Sequence, residues 1–177
     1  MTNDNTKDLT MKNVPSNSKK AVIDRIFTQV GFDQFLLDDS HTLKPPHLKS
    51  IKANAPLVLH VDDDQDLVDA VTSRFSANGY RVASALDGIS GVQAALLHPA
   101  DVVILDYDMP NGRGDIVIEL LKGNEKTADI PIVVLTAVHK IGLKRQLLSK
   151  GADVFMTKPF EFVELQSVVD ALIDPAE

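Results

Sequence analysis

From Pro56 onward, short apolar runs rich in β-branched residues alternate with longer stretches whose apolar positions recur at helical spacing. The runs fall at Leu57–Val61, Tyr80–Ala85, Val102–Leu105, Ile130–Leu135 and Val154–Met156. The amphipathic stretches lie near 65–78, 88–98, 114–122, 140–150 and 161–173. Five strands alternating with five helices predict βαβ units, a parallel sheet and an α/β domain over residues 56–177. Gly79, Pro99, Pro131 and Gly151 punctuate the helix-to-strand joints. The runs at 102–105 and 130–135 are apolar at every position, as strands covered on both faces must be.

Upstream the texture differs. Residues 1–20, rich in Asn, Thr, Ser and Lys, are expected to be disordered. Residues 21–37 carry a helical apolar stripe (Val22, Ile23, Ile26, Phe27, Val30), broken at Gly31 and resumed at Phe32, Phe35, Leu36 and Leu37. Residues 38–55 contain Pro45-Pro46 and read as a linker. An isolated helix of that length is marginal in water, so the stripe needs a cover. Its own domain, a protein partner or a second copy in a homodimer would serve.

Composition narrows the function classes. Of 177 residues, 44% are hydrophobic and 24% charged, the balance of a globular domain. The absence of Cys excludes disulfide scaffolds, thiolate zinc sites and cysteine nucleophiles. No apolar run reaches the roughly 18–20 residues of a membrane span, and Met1 leads into polar Thr2-Asn3-Asp4-Asn5. A cytoplasmic protein without membrane insertion is expected. The net charge of −7 is uneven: residues 1–55 hold 8 basic and 6 acidic side chains, residues 56–177 hold 10 and 19. That distribution argues against nucleic acid as a partner.

The candidate chemistry gathers at strand ends. The first run ends in Asp62-Asp63-Asp64, the third in Asp106 with Asp108 two residues on, the fourth in Thr136, and the fifth passes through Thr157 to Lys158-Pro159. Right-handed crossovers bring all these carboxyl ends to one edge of a parallel sheet, where ligands of open α/β sheets bind. The second strand offers only Ser84-Ala85, as an edge strand would. Each residue has a plainer use: Asp64 or Asp87 as a helix N-cap, Thr136 as a structural hydroxyl, Lys158 as a solvated charge. The set is harder to dismiss, since clustered carboxylates repel unless a cation or shifted pKa values relieve them. An all-oxygen set favours Mg²⁺, Mn²⁺ or Ca²⁺ over zinc. Carboxylate, Lys and Thr together suit in-line attack on a phosphoryl group.

These residues carry a resemblance. Val61-Asp62-Asp63-Asp64, Val103-Ile104-Leu105-Asp106 followed by Met109-Pro110, Val134-Leu135-Thr136-Ala137, Gly151-Ala152-Asp153 and Lys158-Pro159-Phe160 together resemble the receiver domain of two-component response regulators. The spacings of 43, 30 and 22 residues between Asp63, Asp106, Thr136 and Lys158 agree. The resemblance implies a doubly wound, flavodoxin-like five-stranded parallel sheet of order 2-1-3-4-5 flanked by five helices. It implies Asp106 as phosphoacceptor from a histidine kinase or phosphotransfer protein. It implies Mg²⁺, or Mn²⁺, bound directly by Asp63, Asp106 and the backbone carbonyl of Asp108, with Asp62 acting mainly through water. Lys158 would pair with the phosphoryl oxygens, Thr136 would hydrogen-bond one of them, and Phe155 would be the switch aromatic that follows Thr136. A cis Lys158-Pro159 bond is implied as well.

Two positions depart from the family pattern: Arg113-Gly114 stands where Asp-Gly is common, and Val138 is apolar where polar residues are frequent. The rival reading is a haloacid-dehalogenase-type Mg-dependent phosphatase, which Asp106-Tyr107-Asp108 fits superficially. Those enzymes carry the acidic pair on the first strand and follow it with x-Thr or x-Val, whereas Met109-Pro110 follows here. No phosphate-binding glycine loop is present, and His60, inside the first strand, is expected to be half-buried and structural. The expectation is a stand-alone receiver, a phosphoacceptor and not a turnover enzyme, that signals to a downstream protein target by contact.

Overall fold

The computed structural model of the chain describes residues 54–174, all within one compact unit. The expectations for residues 1–20, for the helical segment 21–37 and for the linker up to residue 53 lie outside the described residues. In chain order the elements are β1 (Leu57–Val61), α1 (Gln65–Ala77), β2 (Arg81–Ala85), α2 (Gly88–Leu97), β3 (Val102–Asp106), α3 (Gly114–Lys122), β4 (Ile132–Thr136), α4 (Leu143–Ser149), β5 (Val154–Thr157) and α5 (Phe162–Ile173). The five strands pair in parallel in the order β2-β1-β3-β4-β5. This is the doubly wound, flavodoxin-like sheet that the sequence implies.

The differences are at boundaries. β4 starts at Ile132, after Pro131, which has no N–H for the ladder. The Pro131 carbonyl still accepts from Val103 N–H at 2.9 Å. β3, β4 and β5 each run one residue past their apolar run, into Asp106, Thr136 and Thr157. A polar side chain does not interrupt backbone pairing, and Asp106 stays in register with Leu135. α4 is shorter than the 140–150 stretch because Gly142, at φ +83°, sets its start.

β1, β3 and β4 are buried at every position, while β2 and β5 are the half-covered edges. Phe75 of α1 and Leu165 and Val169 of α5 close over Val58, Val102, Ile104, Val133 and Leu135 on one face of the sheet. Phe75 is fully buried, worth about 2–3 kcal/mol, and meets Tyr80 and Phe162 edge-on. The Tyr80 hydroxyl donates to Asp170 of α5. At the amino edge of the sheet, Asp101 and Asp153 accept the first N–H of β1 and of β4, from Leu57 at 2.6 Å and Ile132 at 2.8 Å. Those two carboxylates are structural.

α2 lies on the opposite face, and its start touches backbone. A Cβ on Gly88 would collide with the Gly112 carbonyl, and one on Gly91 would lie 2.6 Å from Val61 Cγ1. Ile89 N–H donates to the Asn111 carbonyl at 3.1 Å. The β3–α3 loop is thereby fastened to the first turn of α2.

Candidate functional site

Three strand ends turn in the same way. Past β1, Asp62 Oδ1 accepts from Asp64 N–H at 3.1 Å; at the end of β3, Asp106 Oδ2 accepts from Asp108 N–H at 2.8 Å; at the end of β4, Thr136 Oγ1 accepts from Val138 N–H at 3.0 Å. Each side-chain oxygen bonds the backbone two residues on, which bends the chain off the sheet and locks the rotamer. Asp62 and Thr136 are fully buried and Asp106 nearly so. The Thr136 oxygen is used as an acceptor, which leaves its hydroxyl proton to donate.

The other carboxylate oxygens meet at Lys158. Its Nζ lies 2.7 Å from Asp62 Oδ2 and 3.0 Å from Asp106 Oδ1. Lys158 follows β5, where its N–H donates to the Thr136 carbonyl at 2.8 Å and its bond to Pro159 is cis. Burial alone would raise the Asp62 carboxyl, but the His60 imidazole, 3.7 Å away and beyond hydrogen-bond reach, the Lys158 ammonium and Asp64 N–H outweigh it and hold the group below the usual range. Burial raises Asp106; Lys158 only partly offsets this, and the Asp62 charge adds to it, leaving Asp106 above the usual range. Lys158 loses stability as a cation through burial, but its two carboxylate partners more than restore it.

The remaining expected residues are less tightly drawn in. Asp63 and Asp108 have exposed side chains. Among the described residues no three His, Asp or Glu side chains converge closely enough to hold a metal ion between them. Lys158 bridges Asp62 and Asp106, and Asp63 faces solvent. The donors at this edge are carboxylates and carbonyls, all hard oxygens. A cation that uses one or two carboxylates and keeps its waters, as Mg²⁺ does, fits such a set better than one that needs an all-protein cage. Asp64 caps α1 by accepting from Leu67 N–H at 3.1 Å, and Asp87 caps α2 through Ser90 N–H at 3.0 Å. Phe155 is half-buried in β5, in register with Val134, so the period of two puts it on the face that carries Thr136. With Lys144, Met156, Thr157, Pro159 and Glu164 it lines a surface pocket of about 370 Å³.

Sequence reasoning missed a second ionic cluster. Asp115, buried in the first turn of α3, receives both Arg113 Nε at 2.7 Å and Arg113 Nη2 at 3.0 Å. Lys150, beyond α4, reaches Asp115 at 3.4 Å and Glu119 at 2.7 Å. Arg113 also stacks 5.5 Å from the Tyr107 ring. The departure at Arg113 thus has a local partner; the Lys150 contact, 35 residues away, left no mark in the pattern. Burial would raise the Asp115 carboxyl, but Arg113 and Lys150 hold it below the usual range. A group held low stabilises the fold fully above its unfolded pKa, and that stability is lost as pH falls through the folded pKa. Asp115→Asn is therefore expected to cost about 2 kcal/mol at neutral pH, discounted for the half-exposed Arg113. The difference from wild type should shrink as pH falls below the usual carboxylate range. Urea unfolding across pH checks this; a difference constant with pH would contradict it.

Residues 58–170 match the description "Response regulator receiver domain". The chain is 39% identical over 118 residues to the "DNA-binding dual master transcriptional regulator RpaA" of Synechocystis sp., covering 67% of this chain and 49% of that protein. It is 34% identical over 119 residues to the "Transcriptional regulatory protein PrrA" of Mycobacterium bovis, covering 67% and 50%. The chain thus spans about half the length of these relatives. Among solved structures, the Francisella response regulator 1452 receiver domain superposes with a TM-score of 0.62 at 29% identity, over 67% of this chain and 96% of that one. No described helix is long and apolar enough to cross a membrane.

Proposed function

The chain belongs to the response regulator receiver domain family, and from that membership we propose that Asp106 accepts a phosphoryl group from a histidine kinase or phosphotransfer protein in the cytoplasm. The observation that carries this reading is the Asp106 carboxylate itself. It is nearly buried at the end of a central strand, with one oxygen pinned by Asp108 N–H and the other 3.0 Å from an ammonium. A carboxylate so held attacks phosphorus in line; the P–N bond of the donor phosphohistidine breaks and an acyl phosphate forms. Lys158 moves its charge onto the phosphoryl oxygens as negative charge builds there, and the Thr136 hydroxyl proton donates to one of them.

Asp63, Asp106 and the Asp108 carbonyl would hold Mg²⁺, or Mn²⁺, with Asp62 acting through water; when bound, the ion neutralises phosphoryl charge beside a net-acidic edge. Phe155, on the Thr136 face, would turn inward as Thr136 moves, remodelling the surface that includes the pocket beside it. The balance of 10 basic to 19 acidic residues over 56–177 suits a downstream protein better than nucleic acid. The phosphatase alternative is disfavoured because the acidic pair begins at the end of β3 and not of the first strand.

Acetyl phosphate with Mg²⁺ is expected to label the protein once per chain, at a group that hydroxylamine releases as an acyl phosphate, and EDTA should prevent labelling. A hydroxylamine-resistant label, or equal labelling in EDTA, would overturn the proposal.

A further inference from the structure

His60 stands on β1 two residues before Asp62, in register with Ile104 of β3 and Ser84 of β2. It is fully buried, more so than its sequence position suggests. Neither ring nitrogen has a hydrogen-bond partner. An unsatisfied buried donor or acceptor is costly, so a polar ring at this position needs a use that Val or Ile would not supply. Its Nε2 lies 3.7 Å from Asp62 Oδ2, about 0.7 Å beyond a good hydrogen bond. That oxygen is the one Lys158 now holds at 2.7 Å.

The two contacts compete for one acceptor. Lys158 is shared between Asp62 and Asp106, and in the reaction its ammonium is drawn to the phosphoryl oxygens. Asp62 Oδ2 then loses its strongest donor, while His60 Nε2 stands 3.7 Å away. We propose that His60 is a positioning residue: as Lys158 transfers from Asp62 to the incoming phosphoryl group, the His60 Nε2–H closes on Asp62 Oδ2 and keeps that carboxylate aimed into the site. The proposal rests on the phosphoacceptor reading of Asp106. It explains why Nε2 stands 3.7 Å from Asp62 Oδ2 in the resting geometry: that bond closes only in the phosphorylated one. A single donor to a buried carboxylate is worth about tenfold in rate if it is made only on the way to the product.

The test uses three forms of the full chain. His60→Leu removes the donor at similar size, and His60→Gln restores an N–H at nearly the reach of Nε2. With acetyl phosphate and Mg²⁺, His60→Leu should be labelled about tenfold more slowly than wild type, and His60→Gln within about threefold. The melting temperature of His60→Leu should equal or exceed that of wild type, since two unsatisfied nitrogens are gone. A merely structural histidine would show the opposite: lower stability with an unchanged rate. In wild type, beryllium fluoride with Mg²⁺ should move the His60 Nε2–H resonance downfield as the hydrogen bond closes. Labelling of His60→Leu at the wild-type rate, a His60→Gln as slow as His60→Leu, or an unmoved resonance would overturn the proposal. Wild type that takes up no phosphoryl group would instead overturn the reading of Asp106 beneath it.

Discussion

Asp106→Asn is expected to abolish phosphoryl uptake from acetyl phosphate while leaving the fold intact. The amide keeps an oxygen for Asp108 N–H, so the turn at the end of β3 survives and the side chain stays in place. What it loses is the charge and the nucleophilic oxygen pair. Burial already works against that charge, holding the Asp106 carboxyl above its usual range, so neutralising it should change stability by no more than about 1 kcal/mol. Loss of label at wild-type stability would locate the chemistry at Asp106. Full labelling of the variant would place the acceptor elsewhere and remove the basis of the proposed function.

Lys158→Met should be the more damaging change to the fold. The ammonium is the shared partner of two carboxylates whose side chains are 1% and 7% exposed. Removing it leaves like charges buried side by side, at a cost of about 3 kcal/mol at neutral pH. Asp62, held low in wild type, should join Asp106 above the usual range, so the folded state binds protons more readily than the unfolded and stability grows as pH falls towards the carboxylate range. Urea unfolding at two pH values measures this directly. A variant as stable as wild type at neutral pH would mean that the pair is solvated and the Lys158 contact incidental. Uptake of phosphate should fall as well, since no other residue named at this edge brings positive charge to the phosphoryl oxygens.

The period of the apolar pattern carried the sheet, since three of its strands are buried on both faces and nothing else in a chain this size reads as continuous apolar runs. Strand ends were less legible. Asp106 and Thr136 look like loop residues to a hydrophobicity argument, yet the backbone ladder runs through both. The candidate edge was legible because every residue proposed for it ends a strand or follows one by at most two positions. The turns that fix Asp62, Asp106 and Thr136 were not foreseen, because an oxygen accepting from the backbone two residues on leaves no compositional trace. His60 was expected to be half-buried and is fully so, since alternation along β1 gives its face but not the depth of the helices above it. The Asp115 cluster needed Lys150, whose approach depends on where α4 ends in space.

The contact between α2 and the β3–α3 loop has a consequence for how the site can vary. Gly88 meets Gly112 backbone to backbone, and Ile89 N–H holds the Asn111 carbonyl. Any side chain at position 88 would act as a wedge against Gly112 and Val117, lifting the loop that carries Asp108. The proposed reacting edge therefore has a stop on one side where main chain meets main chain, supplied by a helix that contributes none of the proposed site residues. Such a stop cannot be tuned by degrees, as a packed side chain can: position 88 either admits the loop or shifts it, and the site inherits its alignment there from an absence of atoms.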